Sequence, residues 1–279
     1  MTEDKFPATR LIVTANILVF VAMCVVSGGQ ALTTPSSEML LDWGGNFAPL
    51  TFNGEWWRMF SSMFLHMGFV HIAFNMAALW NMGQSAEELF GTRRFVNLYF
   101  ISGFGGSCLS LLFNPGVLSA GASGAIFGVY GSLFAFFFAH RKEMGHEAFL
   151  AGTKSATAFL VLNIVLGLTF GFDNFCHLGG LLSGFICGTF YLPRANKPLS
   201  KHPVLGTFLL IGSIYALFNY AKTVPFDLGD RYYVSAARAF LRHDQYAEAN
   251  AMLNKALMKK PDNAEAIWLR ESLQKKIAH

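Results

Sequence analysis

The sequence predicts an all-α protein, a polytopic membrane bundle of seven transmembrane helices followed by a small soluble helical domain. Three observations carry that prediction. Of 279 residues, 53% are hydrophobic and only 14% are charged, against about 25% charged in an ordinary soluble protein. Seven apolar runs approach the roughly 20 residues that a helix needs to cross a bilayer. From about residue 229 onward the chain becomes rich in Lys, Arg, Asp and Glu, whereas the apolar runs carry almost none. The net charge of +4 reads as loop charge rather than as a nucleic-acid signal.

The runs fall at about 11–27, 68–82 (starting as early as Trp57), 95–113, 122–139, 155–172, 175–192 and 204–221. Lys5 and Arg10 before the first run also fit a signal peptide, but its loss would leave the next loop unanchored. His66, His71 and Asn75 interrupt the second run; polar groups are costly in hydrocarbon, so they are expected to face the bundle interior. Only Phe172-Asp173-Asn174 separates the fifth run from the sixth. Lys5, Arg10, Arg93, Arg94, Arg141, Lys142, Lys154, Arg194, Lys197 and Lys201 flank alternate ends of the runs, against Arg58 alone on the other side. By the positive-inside rule the N-terminus is cytoplasmic, and seven spans place the C-terminus outside. The charge asymmetry divides the chain into a membrane body, with a first helix and the start of an outer loop (1–44) and a seventh helix (196–225), and a helical tail (226–279).

The loop after the first span contains Trp43, Phe47, Phe52, Trp56 and Trp57, a density suited to the headgroup level. In the tail, 229–242 and 245–259 have helical periodicity, and a third helix starts after Pro261 with Asp262 or Asn263 as its cap. Tyr246-Ala247-Glu248-Ala249, Ala256 and Pro261 resemble half of a tetratricopeptide repeat. A lone unit needs a neighbour to bury its faces, so the tail is expected to pack on the membrane body, dimerise or dock a protein partner. Cys24, Cys108, Cys176 and Cys187 all lie in apolar runs and read as small buried thiols.

The chemistry lies in Gly121-Ala122-Ser123-Gly124 and in His177. Ser123 opens the fourth run. Small neighbours let a substrate backbone approach its hydroxyl, and free N–H groups at a helix start can hold an oxyanion. A lone Gly-x-Ser-Gly is as readily a helix-packing serine. Two small-residue faces argue otherwise: Gly124 with Gly128, and Gly180 with Gly184. Such faces permit close helix crossing. If the fourth and sixth helices meet through them, Ser123 and His177 meet at one end, as nucleophile and base. His71 and Asn75 are one helical turn apart, so both point the same way and each offers an N–H donor.

Gly121-Ala122-Ser123-Gly124, His177-Leu178-Gly179-Gly180 continuing to Gly184, and His71-Ile72-Ala73-Phe74-Asn75 resemble the three signatures of rhomboid intramembrane serine proteases. Trp57-Arg58 and Glu87 with Gly91 resemble further elements of that family, and the likeness covers about residues 45–192. It implies a six-helix core (45–195) plus one added helix, Ser123 as nucleophile and His177 as general base. It also implies that His71 and Asn75 help form the oxyanion hole, and His66, a further match, is assigned a structural role. Phe127 stands where many rhomboids have tyrosine; its ring can still support the imidazole by stacking. Cys176 stands where a smaller residue is common.

The implied activity is cleavage of single-span membrane proteins in or near their transmembrane segment, by a dyad that needs no metal or cofactor. Asp173, in a short outer turn, is expected to be solvated rather than a third member. A His-Glu-x-x-His helix and a pair of aspartates within spans are absent from the sequence, which sets aside the metallo and aspartyl intramembrane proteases. The alternatives are a catalytically silent rhomboid-like protein that binds membrane clients, and a scaffold acting through the tail. The expected setting is a bilayer, in a bacterial inner membrane, with transmembrane proteins as partners and no nucleic acid.

Overall fold

A computed structural model of the chain describes residues 5–170, 172–192, 202–224 and 228–277. In order, its helices are α1 (Pro7–Val26), α2 (Ser37–Asp42), α3 (Ala48–Phe52), α4 (Arg58–Ser61), α5 (Phe69–Phe90), α6 (Thr92–Phe113), α7 (Ser123–Met144), α8 (His146–Phe170), α9 (Asn174–Tyr191), α10 (His202–Thr223), α11 (Asp230–Arg242), α12 (Tyr246–Lys259) and α13 (Ala264–Ile277). Each of the seven apolar runs falls on one long helix: α1 or one of α5 to α10. Five of these (α1, α6, α7, α8 up to Val165, and α10) are long and apolar enough to cross a membrane, and α4 with α5 makes a sixth if that pair, bent by 94°, is one span. α9 is not among them, and it packs against both α6 and α7.

The helices form a centre and a rim. Two-thirds of α6 and 61% of α7 lie buried, against 18% of α8 and 22% of α10. Leu11, Leu18, Val161 and Phe208 point outward from α1, α8 and α10. Continuous apolar faces of this kind belong in hydrocarbon rather than in water.

Glycine sets the spacing at the centre. A Cβ on Gly180 or Gly184 would run into the carbonyl oxygens of Gly124 and Gly128, so α7 and α9 touch backbone to backbone. A Cβ on Gly179 would lie 2.6 Å from the Gly105 carbonyl oxygen, which brings α6 equally close to α9.

Polar groups fix the ends. Glu87 lies five residues beyond the expected end of its run and is buried at the start of α1. Its carboxylate accepts from the Ala8 and Thr9 N–H groups at 3.1 and 2.9 Å and from the Thr9 hydroxyl at 2.7 Å. An anion at a helix N-terminus satisfies orphan donors and complements the helix dipole. Asp173 corrects the expectation of a solvated turn. It is buried, caps α9 by accepting from the Cys176 N–H at 3.1 Å, and takes the Ser110 hydroxyl on its other oxygen. The fifth run also starts earlier than expected: α8 begins at His146, parted from α7 only by Gly145 in the left-handed region (φ +78°). Lys154 therefore lies within α8 and not in a loop.

The aromatic loop does not simply lie flat. It folds into α2, α3 and α4, and the tail docks on it. Leu41, Phe47 and Leu50 share one apolar cluster with Tyr233, Val234, Phe240 and Leu253. Arg242 pairs with Asp42, and Asn53 donates to Gln245 at 3.3 Å. Of the three fates expected for the tail, the structure shows packing on the membrane body. Asn263 is the cap of α13, accepting from the Ala266 N–H at 2.9 Å. Cys108, Cys176 and Cys187 are buried and free, and Cys24 is partly buried and free.

Gly180→Val should lower the thermal midpoint of detergent-purified protein far more than Gly212→Val. The first substitution drives a side chain into backbone, an overpacking worth about 1–3 kcal/mol or more. The second meets nothing within 4 Å. Equal midpoints for the two variants would show that α7 and α9 are not held by that contact.

Candidate active site

Ser123 is the first residue of α7 and His177 lies in the first turn of α9. The glycine contact brings those two helix starts together, and Ser123 Oγ lies 2.9 Å from His177 Nε2. His177 is buried, and its Nδ1 has no hydrogen-bond partner among the described residues. The Phe127 ring instead lies flat on the imidazole, 4.2 Å between centroids and 7° between planes. Stacking and burial set the orientation of His177 where an acid would do so in a triad.

His71 approaches from α5. The Met67 N–H donates to His71 Nδ1 at 3.1 Å, which leaves the ring proton on Nε2. That Nε2 faces Gly121. A Cβ at position 121 would lie 3.3 Å from His71 Nε2 and 3.6 Å from Ser123 Oγ, between the two. Gly121 also has φ +142°, which side chains rarely adopt, so both space and backbone call for glycine. Phe172 stacks on the other side of His71 at 5.7 Å, and the His66 ring lies 5.3 Å away.

Asn75 differs from His71. Its amide donates to the His71 carbonyl at 2.9 Å, and it does not line the cleft that holds Ser123, His71 and His177. Gly124 sits against the Cys176 sulfur, where a Cβ would be 2.7 Å away; the thiol fills the corner between α6, α7 and α9.

Two loop contacts steady the segment before Ser123. Asn46 and Ser119 exchange backbone hydrogen bonds, both 2.9 Å, and the Gly121 N–H donates to the Ser62 carbonyl at 2.9 Å. Those pairings, and the roles of Glu87 and Asp173, were not visible in the sequence. The hints were an acidic residue just past an apolar run, in the Glu87–Gly91 element, and one beside a predicted helix start.

The cleft is small, about 50 Å³. A far larger apolar cavity of about 1280 Å³ lies between α6, α9 and α10, but its walls hold neither serine nor histidine. Among the described residues no cluster of His, Cys, Asp or Glu could hold a metal ion. The arrangement is an alcohol hydrogen-bonded to an imidazole nitrogen, beside the free N–H groups of a helix start and the Nε2–H of His71. Such a group can attack an acyl carbon and hold the negative charge that develops on its oxygen.

Ser123 should therefore react with a fluorophosphonate probe. Gly121→Ala should cut the labelling rate on the order of 10²-fold, the cost of losing one oxyanion donor, with the Ser123–His177 pair still in place. Labelling of Gly121→Ala at the unaltered rate would remove His71 from the site.

A model of the Rhomboid domain matches residues 53–194. The protein called Rhomboid protease GluP of Bacillus subtilis is 32% identical over 265 residues, covering 93% of this chain and 49% of its own length. RHOMBOID-like protein 1 of Arabidopsis thaliana is 37% identical over 164 residues, 58% of this chain and 42% of its own. Rhomboid-like protease 3 of Toxoplasma gondii is 31% identical over 194 residues, 69% of this chain and 70% of its own. The chain spans about half the length of the first two.

Proposed function

Because this chain belongs to the rhomboid family, we propose that it is an intramembrane serine endopeptidase that cleaves single-span membrane proteins in or near their transmembrane segment. The observation that carries the reading is the 2.9 Å contact between Ser123 Oγ and His177 Nε2 at the starts of two helices of an apolar bundle.

The chemistry follows from the positions. His177 Nε2 takes the Ser123 proton as Oγ bonds to the substrate carbonyl carbon. The resulting oxyanion is held by first-turn N–H groups of α7 and by His71 Nε2–H. His177 then gives the proton to the leaving amine, the peptide bond breaks, and an acyl ester remains on Ser123. Water, deprotonated by His177, hydrolyses the ester and restores the serine. Gly121 and Gly124 leave room for the substrate backbone, and Gly180 and Gly184 hold α9 against α7. Phe127 orients the imidazole. Asn75 gives one amide proton to the His71 carbonyl, which supports His71, and keeps its second N–H as a donor for the oxyanion hole.

All seven long helices span the bilayer in this reading, with the N-terminus inside and Ser123 at the outer end. The end of α1 that carries Lys5 and Arg10 lies with Arg93 and Arg94, and α10 returns the chain to the Ser123 end. The tail, read as a tetratricopeptide-like unit, is then outside. Its buried Ala236, Ala249 and Ala256 suit the close helix crossing of such a unit. The relatives come from a bacterium, a plant and Toxoplasma gondii, so a bacterial inner membrane rests on the sequence alone. A silent client-binding protein is the rival, and an intact serine–histidine pair argues against it.

Ser123→Ala and His177→Ala should each abolish cleavage of a single-span substrate in reconstituted vesicles, on the order of 10⁶-fold, with the double variant no worse. Thermal midpoints should stay near that of the unaltered protein. Appreciable cleavage by either purified variant excludes the dyad; no cleavage by the unaltered protein on a panel of such substrates favours the silent reading.

A further inference from the structure

Arg58 is fully buried in the outer loop, and its guanidinium has five N–H donors to satisfy. Nε and one Nη2 proton go to Glu55 Oε2, at 2.7 and 2.6 Å. The Nη1 protons go to the Leu41 carbonyl at 2.7 Å and the Gly45 carbonyl at 3.2 Å. The fifth goes to the tail: Nη2 lies 3.3 Å from Nε2 of His243, the residue that ends α11. Without the tail, one donor of a buried cation has no acceptor.

The loop that Arg58 ties together is the one that steadies the site. Gly45, whose carbonyl Arg58 holds, precedes Asn46, and Asn46 is bridged to Ser119, four residues before Ser123. Ser62, which accepts the Gly121 N–H, follows α4, where Arg58 itself sits. The chain of contacts from His243 to the cleft is unbroken: His243, Arg58, Gly45, Asn46, Ser119, Gly121.

We propose that His243 is a positioning residue for the serine site, and that the docked tail is a proton-sensitive latch that holds the outer loop in its working form. Arginine can only donate, so His243 must accept through Nε2 and carry its proton on Nδ1, which faces Glu55 Oε1 at 4.0 Å. Imidazolium has no acceptor and would set a second cation against Arg58. Docking and protonation therefore exclude each other. The latch is closed while His243 is neutral and opens when the imidazole takes up a proton. The charged groups that face His243 are Arg58 and Glu55 from the loop and the adjoining Asp244. The carboxyl of Asp244 is held below the usual range by the Tyr246 hydroxyl and then by Lys276 of α13. Arg242 beside it is already paired with Asp42. Glu55 alone favours imidazolium at close range, and it is shared with the nearer Arg58. The inference rests on the protease reading for its effect on turnover, but not for the docking itself.

The test uses full-length protein in vesicles. His243→Ala should lower kcat about tenfold at pH 7.5, with KM little changed, the scale of one unsatisfied buried donor of a charged group. His243→Gln keeps an acceptor and takes up no proton. It should turn over near the unaltered rate at pH 7.5, and its rate relative to the unaltered protein should rise severalfold towards pH 5.5, a comparison in which titration of His177 cancels. Spin labels at Ser37→Cys and Ser272→Cys report docking independently. Their distance distribution should be narrow at pH 7.5 and broad in His243→Ala and at pH 5.5. Unchanged kcat in His243→Ala, or a flat ratio for His243→Gln, overturns the positioning role. A distribution unaltered by His243→Ala overturns the latch. If the unaltered protein cuts nothing, the protease reading falls and the distance measurement still decides docking.

Discussion

Backbone contact between α7 and α9 governs the geometry of this molecule. Two helices bearing ordinary side chains sit 8–10 Å apart. Gly124 and Gly128 facing Gly180 and Gly184 remove the intervening carbons, and the axes close until carbonyl oxygens fill the space a Cβ would need. Only at that spacing can a side chain as short as serine, at the first position of one helix, reach a ring nitrogen in the first turn of the other. The same approach brings Phe127, one turn below Ser123, flat against His177. The serine–histidine geometry is thus a consequence of packing, set where small residues of α6, α7 and α9 meet.

The ends of the bundle are held by another kind of force. Glu87 at the start of α1, Asp173 at the start of α9 and Arg58 in the loop before α5 are all buried; Glu87 and Arg58 bind backbone groups of other elements, and Asp173 binds the Ser110 hydroxyl of α6. In a medium without water an unpaired charge is very costly, while a satisfied one specifies a single arrangement. Glycine contacts fix how closely the helices approach. The three buried ions fix which helix starts and which loop lies where.

The sequence showed what repeats or stands alone. The small-residue spacing on two runs, Ser123 and His177 at their mouths, and the helical periodicity of the tail led to the helices and to the α7–α9 contact. It did not show what depends on pairs far apart. Glu87 accepts from residues 78 and 79 positions earlier, and Arg58 meets His243 across 185. A carboxylate just past an apolar run signals a partner without naming it. Asp173 was misjudged because a short turn between two helices reads as exposed unless Ser110, from α6, is known to lie over it. Asn75 shows what helical spacing leaves open: a residue one turn from His71 also reaches the His71 carbonyl with its amide, a bond within one helix that spacing alone does not reveal.

The size of the cleft constrains what this site can act on, once it is read as proteolytic. An α-helix with its side chains is about 10–12 Å across, and the space at Ser123, about 50 Å³, holds little more than a short stretch of bare backbone. A transmembrane substrate must therefore unwind locally before its carbonyl reaches Ser123 Oγ. In hydrocarbon each N–H and C=O freed by unwinding lacks water to replace its lost partner, at a cost of several kcal/mol per group. Unwinding is far cheaper near the membrane surface, which is where the proposed topology puts the starts of α7 and α9. Position along the membrane normal thus selects among substrates before any side-chain pocket does. A segment whose helix is already weakened by glycine or proline beside the outer surface meets the smallest barrier.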